Sequence, residues 1–379
     1  MRNAAHIGSP GEPVVHAATL DGQSGTAAWR PSYALPPGQV LRRVLAERGI
    51  SQAELAVRTG LSAKHVNQVL QGIVPLSVEM ALLLERVLET PSYIWNQLEA
   101  AYRDSIVRSQ HRERLQTHLQ WADHFPAPAL IDRGVLSPSD DGPARVEKIL
   151  SFFGVADPDA YEQIWDQPMA VFRRSRKFSV DPYATATWLR LAEVAAGNIN
   201  LSQYDGKAFQ RIVPQLRELT IPPLGEAFPE LQRRCAEVGI AVVREPQLPN
   251  TRVCGATRWI NASYPIIVLS GRYKTEDSLW FSFFHEAGHV LLHPKRTTYI
   301  APDERGDKDD IEHQADNFAQ QILIPAEASG QLARLRTNSE IELFARQINI
   351  GVGVVAGRLM NDGRLNWSRS GRLRRRLGG

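Results

Sequence analysis

Trp280-Phe281-Ser282-Phe283-Phe284-His285-Glu286-Ala287-Gly288-His289-Val290-Leu291-Leu292 is the stretch whose reading decides the C-terminal half of this 379-residue chain. It is apolar on most sides, which predicts a buried helix. His285 and His289 stand four apart and share one face of that helix. Two surface histidines on an amphipathic helix would show the same spacing. Here the surroundings are apolar, and buried imidazoles need partners. Gly288 removes a side chain just before the second histidine, so another element can approach closely. The pair can present two ring nitrogens to one metal ion, with the Glu286 carboxylate projecting beside them. Zinc accepts neutral imidazole nitrogen, and a catalytic zinc usually keeps three protein ligands plus one open position. A carboxylate next to the first histidine is placed to take a proton from water there.

A third ligand is offered downstream by Ile311-Glu312-His313-Gln314-Ala315-Asp316-Asn317-Phe318-Ala319. Ile311, Ala315, Phe318, Ala319 and Ile322 keep a helical period, and Pro325 marks where that helix stops or bends. Glu312 and Asp316 are four apart on an adjoining face. Glu312 is read as the metal's carboxylate ligand. Asp316 is read as accepting a hydrogen bond from the distal nitrogen of a ligand histidine. Taken alone, a helical glutamate is usually solvated; its pairing with the histidine helix is what selects it. His313, beside Glu312, points elsewhere and is read as a surface residue. His293 reads as a helix-end histidine rather than a ligand. A third histidine six residues past His289 is absent, because Lys295 stands there.

HEAGHVLLH followed by EHQADNFAQQILIP resembles the ImmA/IrrE metallopeptidases, and the resemblance extends from about Leu231 to about Met360. It implies zinc held by His285, His289 and Glu312, with Glu286 as the general base. Many members of that family carry Glu where this chain has Gln314, which leaves Glu312 as the available acid.

Residues 36–104 form a second readable unit. Val40, Leu41, Val44 and Leu45 keep helical spacing up to Gly49. Ser51 reads as an N-cap with Glu54 three residues on, a capping box. A helix from Gln52 to Arg58 ends near Gly60. Ser62 caps a further helix, Ala63 to Leu70, which ends at Gly72. Two short capped helices joined by a tight glycine-containing turn are the layout of a helix-turn-helix. Val66 and Val69 are expected in its core, with Ser62, Lys64, His65, Asn67 and Gln68 outward. Lys64 suits a phosphate or a guanine, and Asn67 and Gln68 suit adenine. Gln52 and Ser62, at helix N-termini, suit backbone phosphates. Any one of these polar residues alone would be ordinary solvated surface. The stretches PPGQVLRRVLAERGISQAELAVRTGLSAKHVNQVLQG and VPLSVEMALLLERVLETPSYIWNQLEAAYRD resemble XRE/Cro-type helix-turn-helix proteins, and more closely the HigA-type antitoxins. That resemblance implies operator-DNA binding as a dimer and, in the antitoxins, a toxin partner.

Composition bounds the rest. The net charge is only +3, so basicity is local, and the two cysteines, Cys235 and Cys254, are too few for a disulfide framework. A reducing, cytoplasmic setting fits, and both thiols are expected to be buried and structural. No apolar run reaches membrane-spanning length, and no signal peptide is apparent. The expected organisation is a disordered lead over 1–30, a helix-turn-helix domain over 31–104, a helical connector or dimerisation region over 105–225, a metallopeptidase domain over 226–362 and a basic tail over 363–379. Arg369, Arg372, Arg374, Arg375 and Arg376 make that tail either a phosphate-contacting or a solubilising segment. Three strands are expected, near 240–243, 252–260 and 266–269, with Gly255 to Trp259 at a sheet edge open to an extended peptide. Tyr273 and His293 are candidate oxyanion donors.

The fold expected is therefore α+β and mostly helical: an all-α head, a helical connector and a small-sheet, zincin-like body. The function expected is a cytoplasmic DNA-binding regulator carrying a zinc-dependent endopeptidase. Its partners would be double-stranded operator DNA, a protein substrate, toxin or repressor, and a second copy of itself, with no membrane. The alternative is a HigA-like repressor whose zinc body senses or scaffolds without proteolysis.

Overall fold

A computed structural model describes residues 35–166, 181–295, 298–302, 310–366 and 371–378. The lead expected to be disordered, 1–30, lies outside them. The chain divides at His111/Arg112 into two compact units.

The first unit is all-helical: α1 (Pro37–Arg48), α2 (Gln52–Thr59), α3 (Ala63–Leu70), α4 (Val78–Leu88) and α5 (Ser92–Gln116), the last running past the division. The Ser51 hydroxyl accepts from Glu54 N at 3.1 Å, and the Ser62 hydroxyl from His65 N at 3.1 Å. Each satisfies an otherwise orphaned helix donor. The expected capping box at Ser51 is only half formed, because the Glu54 carboxylate turns to Arg58 instead. Between α2 and α3, Gly60 takes φ 72°, a left-handed turn that costs glycine nothing. Leu41, Leu55, Val66, Val69, Met80, Leu84 and Trp95 close one core.

The second unit is built on a four-stranded mixed sheet, order β1-β3-β2-β4: β1 Ala241–Arg244, β2 Val253–Asn261, β3 Tyr264–Leu269 and β4 Tyr299–Pro302. β1 runs parallel to β3; β2 is antiparallel to both β3 and β4. Strand side chains alternate between faces. In β3, Ile266 and Val268 enter one core while Ile267 and Leu269 enter another. A strand covered on both sides reads as a continuous apolar run. The first cover contains α6 (Gly142–Phe153) and α7 (Pro182–Ala196), with Phe153, Trp165 and Trp188 in its core. The helices expected as a connector thus share a core with the sheet. The second cover contains α8 (Leu224–Ala236), α9 (Glu276–Leu292), α10 (Asp310–Leu323), α11 (Asn338–Gln347) and α12 (Val352–Asn361). Among the described residues, no helix is long and apolar enough to cross a membrane.

One expectation is corrected, and the tail gains a structural role. Gly255 to Thr257 is not at an edge: these residues pair with both β3 and β4, Arg258 and Trp259 pair with β3, and among the described residues the edge strands are β1 and β4. β4 escaped notice because it is short and lies apart from the apolar periodicity. In the described part of the basic tail, Arg374 and Arg375 are engaged by acids of α9, while Arg372 and Arg376 are exposed. The Arg376 backbone forms an antiparallel β-bridge with Thr275, and the half-buried Arg374 donates from Nε to both carboxylate oxygens of the buried Asp277 at 2.9 Å. Arg375 pairs with Glu276 at 2.8 Å. Arg369 lies outside the described residues. The tail therefore neutralises two acids in the first turn of α9.

Removing one partner of a buried ion pair leaves an uncompensated charge, which costs about 3–5 kcal/mol. Arg374→Ala is therefore expected to lower the urea midpoint of the second unit's transition in the full chain by a corresponding amount. An unchanged midpoint would show that the tail does not brace α9.

Candidate metal centre

α9 is the deepest helix of the second unit. Trp280, Phe283, Phe284 and Ala287 are buried on it, and so are His285, Glu286 and His289. Burying each large apolar side chain contributes about 1.5–3 kcal/mol, which offsets the cost of drawing three titratable groups into the same helix. Gly288 permits the approach of α10: a Cβ there would lie 3.2 Å from Ala315 Cα and 3.2 Å from the Phe318 ring. Glycine at 288 therefore brings the two helices to backbone contact, as its position beside His289 suggested.

That contact places Glu312 and Asp316, one helical turn apart on α10, against the two histidines. His285 Nε2 lies 3.0 Å from His289 Nε2. Glu312 Oε2 is 3.4 Å from His285 Nε2, and its Oε1 is 3.5 Å from His289 Nε2. The ligand-type atoms of His285, His289 and Glu312 all fall within 4.8 Å of one another, and all three residues are buried. Asp316 Oδ1 accepts from His285 Nδ1 at 2.9 Å, leaving Nε2 to face the cluster. His313 is exposed, as expected.

Glu286 is fully buried. Its Oε2 accepts from the Thr257 hydroxyl at 2.7 Å, and its Oε1 has no hydrogen-bond partner among the described residues. A Cβ at position 255 would come within 2.7 Å of that oxygen, so Gly255 keeps the space open. Burial pushes the Glu286 carboxyl up to about 8, against the opposing pull of His285 and Thr257. In His285, burial opposes the charge, but the carboxylates of Asp316, Glu312 and Glu286 outweigh it and raise the imidazole to about 9. The metal-free cluster thus gathers electron pairs that need a positive charge between them.

Sequence reasoning missed Gly255, Thr257 and Tyr299. The first two lie two apart on β2 and so face the same side, toward α9. Tyr299 of β4 stacks on the His289 ring, centroids 4.6 Å apart and 12° from parallel. His293 stands at the C-cap of α9, as expected of a helix-end histidine, but it is buried, with Nδ1 2.9 Å from His289 Nδ1. Tyr273, the other candidate oxyanion donor, is exposed ahead of α9. Cys235 is buried, and desolvation raises its thiol; Cys254 is half-buried. In the first unit, Gln52, Ser62, Lys64 and Asn67 are exposed and His65 and Gln68 half-buried, while Val66 and Val69 fill the core.

Residues 235–360 match the family described as the IrrE N-terminal-like domain, and residues 41–95 match the helix-turn-helix family. No curated protein matches the chain. Among solved structures, the chain is similar to a Pseudomonas aeruginosa protein in complex with its 18-bp operator DNA. The identity is 30% over 21% of this chain and 85% of the other, with a TM-score of 0.20. It is similar to the Pseudomonas aeruginosa antitoxin HigA with the higBA promoter, at 28% over 22% of this chain and 94% of the other, TM-score 0.21. It is also similar to a HigA-family addiction module antidote protein from Coxiella burnetii, at 20% over 22% and 91%, TM-score 0.21. On the family matches, the chain carries an XRE-type helix-turn-helix segment over 41–95 and an IrrE-like peptidase-family segment over 235–360.

Proposed function

We propose that the protein is a DNA-binding transcriptional regulator whose second unit is a zinc-dependent endopeptidase acting on a regulatory partner protein. The observation that carries this reading is the fully buried Glu286, with one carboxylate oxygen unpartnered among the described residues, beside the cluster of His285, His289 and Glu312. A merely structural site has no use for a free carboxylate oxygen there.

The donor set fits zinc: two imidazole nitrogens and one carboxylate, three protein ligands that leave a position open. His285, His289 and Glu312 would hold the ion, and Asp316 fixes the tautomer of His285. When bound, zinc supplies Lewis acidity to a peptide carbonyl and acidifies water at the site. Its charge would also favour the ionised form of Glu286, which is the form a base needs. Glu286 Oε1 would then take a proton from the attacking water and return it to the leaving amine. The Thr257 hydroxyl, on Oε2, holds the carboxylate so that Oε1 stays directed into the site.

The exposed face of α3 supports the DNA half of the reading. Lys64 and Asn67 lead it, with His65 and Gln68 beside them and the α2 and α3 N-termini at Gln52 and Ser62. Side chains reading base edges specify sequence, while helix N-termini and cations hold phosphates. A second copy of the chain would supply the matching half-site contact.

Two measurements test the two halves. Glu286→Gln is expected to bind one zinc per chain as wild type does and to abolish cleavage. Proteomics of cells carrying either form should then reveal a protein that is cut only in wild type. A variant that still cuts that protein would remove Glu286 from the role of base, and identical proteomes would remove the endopeptidase. For DNA, Lys64→Ala should weaken binding across sequences and reduce the salt slope by about one, while Asn67→Ala should cost about 1–3 kcal/mol and relax specificity at one position. If neither variant changes binding to sites recovered by chromatin precipitation, α3 is not the reading helix.

A further inference from the structure

Resting on the reading of His285, His289 and Glu312 as a metal site, we propose that His293 is a positioning residue: it accepts the Nδ1–H of His289 and holds that imidazole with its Nε2 lone pair toward the metal position. Three histidines, 285, 289 and 293, lie at successive intervals of four along α9 and its cap. The first two turn their Nε2 atoms to each other at 3.0 Å. The third turns back, so that its Nδ1 lies 2.9 Å from His289 Nδ1.

A neutral imidazole has one donor and one acceptor nitrogen. A metal-binding Nε2 needs its lone pair, so the proton of His289 must sit on Nδ1. The atom facing that proton is His293 Nδ1, which must therefore carry a lone pair and put its own proton on Nε2. Gln314 Oε1, 3.3 Å from His293 Nε2, can only accept, which agrees with that assignment. The chain of donation runs from His289 Nδ1 to His293 Nδ1, and from His293 Nε2 to Gln314 Oε1.

His285 has its Nδ1 partner in Asp316, so each ligand imidazole is oriented from behind, one by a carboxylate and one by a second imidazole. The Tyr299 ring lies flat against His289 and opposes rotation of its plane. Such outer hydrogen bonds typically govern metal affinity by 10–100-fold.

The test uses the full chain stripped of metal, with zinc alone as the probe, titrated against a chelating dye. His293→Phe, which fills the same space without an acceptor, is expected to weaken zinc binding about 10–100-fold while the metal-free melting temperature stays near that of wild type. His293→Gln, whose amide oxygen can accept, should retain most of the affinity. In zinc-loaded wild type, nuclear magnetic resonance should detect a nitrogen–nitrogen coupling across the His289–His293 hydrogen bond, a readout independent of any variant. Equal zinc affinity in wild type and His293→Phe, or no such coupling in the zinc-loaded chain, would overturn the role of His293 and leave the metal site standing. A wild-type chain that binds no zinc would overturn both.

Discussion

The contact of α9 with α10 at Gly288 is the constraint on which the second unit depends. A Cβ there would lie 3.2 Å from Ala315 Cα and from the Phe318 ring, tighter than ordinary contact, so the bare backbone favours the close approach of the helices. Once they are closed, helical periodicity does the rest. Residues four apart share a face, so His285 with His289 and Glu312 with Asp316 become two opposed pairs. One acid meets both Nε2 atoms from across the cleft, and the other meets His285 from behind.

Such a cluster opposes folding unless its polar atoms find partners. The surrounding structure shows how the cost is offset. Both faces of the sheet are covered by apolar cores, and α9 contributes Trp280, Phe283 and Phe284 to one of them. Its first turn carries two buried acids, Glu276 and Asp277, favourably placed at a helix N-terminus and neutralised by Arg375 and Arg374 of the tail. Strand β2 supplies Thr257 for Glu286 and, at Gly255, the space in front of it. Glu286 Oε1 is among the buried polar atoms left without a hydrogen-bond partner among the described residues, and it lies at the cluster that the proposed chemistry uses.

Much of this was legible in the sequence because it is local. Helix caps, the four-residue intervals of His285, His289, Glu312 and Asp316, and the apolar positions Val66 and Val69 all follow from period and spacing. The Gly288 approach was legible too, since a glycine inside an apolar helix calls for a close neighbour. What escaped depends on long-range pairing. Gly255 and Thr257 matter only because β2 lies beneath α9, and Tyr299 only because β4 extends the sheet past β2 to His289. The edge assignment failed at Gly255 to Thr257 for the same reason: the strand beyond it comes from forty residues downstream. The roles of Arg374 and Arg375 escaped because their acids, Asp277 and Glu276, lie in a distant helix.

The most direct measurement of the central claim is anomalous diffraction at the zinc edge from crystals of the full chain grown with zinc. The account predicts one peak in the second unit, about 2.0–2.2 Å from His285 Nε2, His289 Nε2 and a carboxylate oxygen of Glu312. A peak lacking Glu312 among its neighbours, or no peak between α9 and α10, would contradict it.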